Sequence, residues 1–186
     1  LKREGFEITL IDVEQNGIVD PARIREALRP DTILVSVMYA NNEIGTIQTI
    51  AEIGKIIRDY KLQTKKNELF FHTDACQAAG YLDLDVRALG VDLMVVNGSK
   101  IYGPKGVGAL FIRSGVGVRP LLYGGAQERN RRAGTENVAG IIGLARALEI
   151  ARAEREKESK RVCALRDDLT NRILSKISRT VVNGDR

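Results

Sequence analysis

Cysteine, histidine and aromatic side chains are scarce in this chain. Its 186 residues include two cysteines, one histidine and no tryptophan, and only 5% are aromatic. Cys76 and Cys163 lie far apart, without Cys-x-x-Cys spacing and without companion histidines. That excludes the common thiolate metal centres and redox pairs, and both residues read as reduced thiols of a cytoplasmic protein. No apolar run reaches the roughly eighteen residues of a membrane helix, so no span is expected. The opening "LKREGFEITLIDVEQNG" carries no signal pattern and no initiator methionine, and it reads as if it begins inside a domain. The net charge of +5 raises nucleic acid as a partner. However, the basic residues alternate with acids in stretches such as "RAEREKESKR", the pattern of a solvated helix face. Low aromatic content also removes the platforms on which bases stack. Direct nucleic-acid binding is therefore not expected.

What is present is a repeating alternation of short apolar runs and helical periods. "FEITLIDV" alternates as a strand does. "DPARIREAL" begins a helix, with Asp20 as N-cap and Pro21 at the first position. "DTILVSVMYA" reads as a strand buried on both faces. "TIAEIGKIIRDYK" places Ile50, Ile53, Ile56 and Ile57 on one helical face. Strands over "ELFFHTDA", "VDLMVVNG" and "VGALFIR" follow, with a short helix over "DVRALG". The order implies an α/β fold: a mostly parallel sheet with flanking helices on both faces, and its last two strands antiparallel. Beyond a Gly- and Arg-rich loop, "GGAQERNRRAGTEN", forty residues from Val138 run without proline. Such a run is long for one globular helix, and a break near "KESKR" is one expectation. The division expected is part of a large domain over 1–140, a long connecting helix over 141–178, and the start of a small domain over 179–186 with a strand in "TVVNGD".

In open α/β sheets ligands gather beyond the carboxyl ends of the strands. "YANNEIG", "HTDACQ", "NGSK" and the loop motif "RRAGT" all fall there or can reach it. Singly, a strand-end aspartate is a turn or cap residue and a lone lysine is surface. Together they describe one ligand. A protonated pyridine nitrogen needs an adjacent buried carboxylate, and Asp74 can supply it. An aldehyde held as a Schiff base needs an amine, and Lys100 can supply it. A phenolic oxygen needs amide donors such as Asn42 and Gln77. A phosphate needs hydroxyls and backbone N–H groups, available at Ser99, at Thr135 and near Gly98. The ligand specified is pyridoxal 5′-phosphate.

"VSVMYANNEIGTIQTIAEIGKI", "HTDACQAAG", "GSKIYGPKGVGALF" and "RRAGTENV" together resemble the cysteine desulfurases among the fold-type-I pyridoxal phosphate enzymes. The resemblance runs in order through almost the whole chain. It implies that the chain holds part of that fold's large cofactor-binding domain. By the same resemblance, Lys100 carries the cofactor, Asp74 pairs with the ring nitrogen, and Gln77 and Asn42 bind the phenolic oxygen. Thr135 reaches the phosphate in the other subunit of a homodimer. L-cysteine is then the substrate, giving L-alanine and a persulfide whose sulfur passes to iron–sulfur scaffolds, other acceptor proteins or tRNA thiolation. Selenocysteine lyase, another enzyme of this fold and an inactive fragment are the alternatives. Where the family commonly has Ser-x-His-Lys, this chain has Asn97-Gly98-Ser99-Lys100, and Asn97 and Ser99 are the expected phosphate donors. "LQTKKNELFF" is longer than common. The ring-stacking histidine, the mobile-loop cysteine and the substrate-binding arginine are expected outside these residues. Cys76 and His72 are expected to pack or support rather than react, and Cys163 to be structural.

Overall fold

In a computed structural model, residues 1–185 are described. The elements are α1 (Pro21–Ala27), β1 (Leu34–Met38), α2 (Ile50–Thr64), β2 (Phe70–Asp74), α3 (Val86–Leu89), β3 (Leu93–Asn97), β4 (Gly108–Ile112), α4 (Gln127–Asn130) and α5 (Val138–Lys176). Single 3-10 turns cover Lys2–Glu4 and Gly98–Lys100. The local signals act as expected. Asp20 takes the N–H of Ala22 and Pro21 occupies the first turn of α1. Asp85 caps α3 by accepting from Arg87 and Ala88, and left-handed Gly90 ends it. Each cap satisfies donors or acceptors that a helix end leaves unpaired.

The sheet has the order β1-β2-β3-β4. β1 and β3 flank β2 in parallel, and β4 closes antiparallel on β3. On one face Phe71, Thr73, Met94 and Val96 are buried. α2 packs there through Ile50, Ile53 and Ile57, each worth about 1.5–3 kcal/mol of burial. Ile56 shares their helical stripe but stays half-buried. Gly54 lets α2 approach α3, since a Cβ there would lie 2.4 Å from the Leu89 carbonyl oxygen. Leu144, Ala147, Leu148 and Ala151 of α5 join the same core.

The opposite face is different. Leu34, Ser36, Asp74 and Leu110 are exposed, and Phe70, His72, Leu93 and Val95 are only half-buried. The expected burial of β1 on both faces, and of helices on both sides of the sheet, is not met. β1 is an edge strand, and no described element covers this face. The accessible surface is 13280 Å², against roughly 8,900 Å² for a closed 20.5 kDa globule.

Two further expectations fail for a related reason. Residues 6–13 and 180–185 run without ladder partners, because no strand lies beside them. Instead Arg29 reaches Glu7 and Thr9, while the Asp185 N–H donates to Thr46 Oγ1. In contrast, α5 continues unbroken through "KESKR". Arg155 donates to the Leu82 carbonyl and Ser159 to that of Tyr81. Ion pairs Lys160–Glu156 and Arg161–Glu158 span the stretch, and neither proline nor glycine interrupts it. No described helix is long and apolar enough to cross a membrane.

One polar strut ties the layers together. Buried Asp92 accepts the Phe71 N–H at 2.9 Å, and its other oxygen lies 2.8 Å from Arg113 Nε. That second approach is a contact of charges rather than an aligned N–H···O bond, since Arg113 Nε lacks a geometric partner. Lys61 of α2 stands 3.9 Å away.

Candidate functional site

The parallel strands bring their carboxyl ends together, and the candidate residues follow from there. After β1, Asn41 Oδ1 accepts the N–H groups of Glu43 and Ile44. This turn leaves Asn42 exposed. The Tyr39 N–H bonds the Asp74 carbonyl at 2.8 Å, locking the two strand ends. Asp74 itself is exposed rather than buried, because it lies on the uncovered face at the last position of β2. Its Oδ1 accepts the Cys76 N–H at 2.9 Å, which fixes the carboxylate's direction. Gln77 is half-buried one residue beyond Cys76.

From β3, Asn97 Oδ1 accepts both the Ser99 N–H at 2.9 Å and the Ser99 hydroxyl at 2.8 Å. The Ser99 proton is thus committed within the turn, leaving the Asn97 amide group as the open donor. Lys100 ends that 3-10 turn and is exposed. Among the described residues neither Asp74 nor Lys100 forms an ion pair. Thr135 lies in the exposed loop before α5, and no described hydrogen bond joins it to the other candidates.

Cys76 reports on the electrostatics between acid and amine. Burial first, then the hydrogen bond and charge of Asp74, push its thiol up to about 11, against the opposing pull of Lys100. The thiol is therefore protonated near neutrality, which suits packing and not attack. His72 shares a strand face with Asp74, and its Nδ1 lies 2.8 Å from Ser36 Oγ, its in-register neighbour on β1. Burial lowers its pKa, while the Asp74 charge works the other way. This Ser36–His72 pair and the Asp92 strut were not legible from spacing, since both depend on strand register. Among the described residues no cluster of three metal-ligating side chains occurs.

The donor set fits a cofactor with a basic ring nitrogen at one end and an aldehyde at the opposite end of the ring. The Asp74 carboxylate takes the Cys76 N–H and lies against the Cys76 thiol, and among the described residues the Lys100 amine has no ion-pair partner. The phosphate end is sparser, with the Asn97 amide in place and Thr135 apart.

A mostly parallel sheet with helices, and an acid and an amine beyond adjacent strand ends, places the chain in the α/β class. The chain belongs to the aminotransferase class-V family, whose pattern matches residues 1–186, and members of that family use pyridoxal 5′-phosphate. It is 50% identical over 186 residues to the cysteine desulfurase IscS of Dictyoglomus turgidum, covering 100% of this chain and 45% of that protein. It is 52% identical over 184 residues to the cysteine desulfurase IscS of Methanosarcina thermophila, covering 99% and 44%. Among solved structures, a NifS-like protein superposes with a TM-score of 0.86 at 39% identity, covering 94% of this chain and 46% of that one. A structure described as SspA in complex with cysteine superposes at 0.73, with 37% identity, covering 80% and 41%. The chain thus spans under half the length of these relatives.

Proposed function

We propose that these residues form the cofactor-holding part of a pyridoxal phosphate-dependent cysteine desulfurase. One observation carries the reading: Asp74, its carboxylate aimed by the Cys76 N–H, and Lys100, without an ion pair among the described residues, stand beyond the carboxyl ends of adjacent parallel strands, β2 and β3. In this reading Lys100 holds the cofactor's aldehyde carbon, and Asp74 holds the proton on its ring nitrogen. Asn42 and Gln77 orient the ring through its phenolic oxygen. The Asn97 amide, oriented by the Ser99 hydroxyl and N–H, faces the phosphate from one side, and Thr135 binds the phosphate of a partner subunit. When bound, pyridoxal 5′-phosphate supplies an electron-withdrawing ring that stabilises negative charge developing on the substrate.

The substrate proposed is L-cysteine, with L-alanine as product. The released sulfur passes through a cysteine outside these residues to an iron–sulfur scaffold or another acceptor protein. A cytoplasmic homodimer is proposed as the working form. Its support is the exposed Leu121, Leu122 and Tyr123 beside the Thr135 loop, since patches of this kind mark association surfaces.

The deciding experiment is borohydride trapping of added pyridoxal 5′-phosphate on the full-length protein, followed by peptide mapping. The label is expected on Lys100, lost in Lys100→Ala and kept in Lys105→Ala. A label on Lys105 or on any other lysine refutes the assignment.

A further inference from the structure

Tyr102 has a backbone φ of 60°. For a bulky side chain this left-handed conformation is an outlier, since its Cβ crowds the following carbonyl. Strain of this size shifts a folding equilibrium by a factor of roughly 5 to 30. The side chain buries little to offset it, since Tyr102 is 92% exposed and its polar neighbour is the Tyr81 hydroxyl.

The surrounding turn shows what the conformation achieves. The Gly98 carbonyl accepts two N–H groups, from Ile101 at 3.2 Å and from Gly103 at 2.9 Å. The second bond closes a helical turn only when the residue before Gly103 is left-handed, a position usually given to glycine. Lys100 sits inside the loop so closed. From outside, α5 clamps it. A Cβ at Gly143 would lie 2.5 Å from Pro104 Cγ, and one at Gly103 would lie 3.0 Å from Ala147 Cβ. Gly143 and Ala147 are one helical turn apart, so a single smooth face of α5 lies against Gly103 and Pro104.

We propose that the left-handed backbone of Tyr102, held through Gly103 and Pro104 by Gly143 and Ala147 of α5, is a positioning device that sets where the Lys100 amine stands. Tyr102 acts through its φ angle, and its hydroxyl is dispensable. The inference rests on the reading of Lys100 as the attachment residue. Trapping on another lysine sinks that reading whatever Tyr102 does, so the two failures are distinguishable.

The test is a series at Tyr102 in the full-length protein, read by titration with pyridoxal 5′-phosphate and by melting without it. Tyr102→Phe is expected to bind as the parent does. Tyr102→Asn, which tolerates φ near +60°, is expected to bind at least as tightly and to melt higher. Tyr102→Val, β-branched and intolerant of that region, is expected to bind at least tenfold more weakly. Gly143→Ala displaces Pro104 without touching Tyr102 and is expected to weaken binding in the same way, which keeps the test decisive if Tyr102→Val fails to fold. Equal binding by Tyr102→Val and Gly143→Ala overturns the proposal, even where melting falls, because the strain then serves the fold alone. Weak binding by Tyr102→Phe also overturns it, since the hydroxyl would then be acting.

Discussion

A methyl group added at Gly98 measures how rigidly the lysine turn is seated. Its Cβ would lie 2.7 Å from the Pro104 carbonyl oxygen, 3.1 Å from Val107 Cγ1 and 3.2 Å from the Val107 carbonyl oxygen. Two of the three obstacles are backbone atoms, so no rotamer change relieves the contact. The Gly98 N–H also donates to the Val107 carbonyl at 3.0 Å, which prevents the turn from lifting freely. Overpacking of this kind costs about 1–3 kcal/mol. The more restricted unfolded chain of the alanine variant offsets about 0.4–1 kcal/mol. A net loss of about 1.3 kcal/mol, and at most about 2.6 kcal/mol, is expected in urea unfolding followed by circular dichroism. Lys100 lies two residues on, and displacement on the order of 1 Å at a reacting group costs up to about 100-fold. The rate of borohydride-trappable attachment should therefore fall about ten- to hundredfold in Gly98→Ala. Gly106→Ala is the control, because Gly106 has φ 76° with nothing within 4 Å of its would-be Cβ. It should lose about 1 kcal/mol from strain and leave the attachment rate unchanged. If Gly98→Ala unfolds and reacts like the parent, the turn is not held by Pro104 and Val107, and the steric argument fails.

Asp74→Asn keeps an acceptor for the Cys76 N–H and should fold normally, while in the proposed role the ring nitrogen loses an anionic partner worth about 1–3 pKa units. Turnover of the full-length protein should fall about ten- to thousandfold, measured as alanine release from L-cysteine, and near-normal turnover would make the carboxylate structural. For His72, burial sets the folded pKa below the ordinary 6.5. The unfolded chain therefore binds this proton more readily, and the associated stability is present above pH 6.5 and lost as pH falls through the lower folded value. Urea midpoints should decline below that pH in the parent and less in His72→Gln, and parallel declines would place the titration elsewhere.

Most of the candidate site could be read from the chain because its residues lie at strand ends. An apolar run followed by Asp74, and another followed by Asn97-Gly98-Ser99-Lys100, place acid and amine on the same edge once the strands are parallel. Helix starts were legible for the same local reason: Asp20 and Asp85 satisfy N–H groups within three residues of themselves. Exposure was not legible in this way. Asp74 was expected to be buried and β1 to be covered twice, but both depend on what lies across the sheet, and no described element lies there. The alternating segment at 6–13 and the segment at 180–185 form no strand among the described residues, because a ladder needs a neighbour that local pattern does not provide.

Helix starts, the four strands that found partners and the order of the chemical motifs were legible in the sequence itself, since each depends on groups a few residues apart and on the 3.6- and 2-residue periods. Tertiary structure alone decided the contacts between distant residues. Register paired Ser36 with His72, and the return of β4 placed Arg113 against Asp92. The seating of α5 on Gly103 and Pro104 accompanies a left-handed tyrosine beside Lys100. None of these has a local signature, because the distance that matters is measured across the fold and not along the chain.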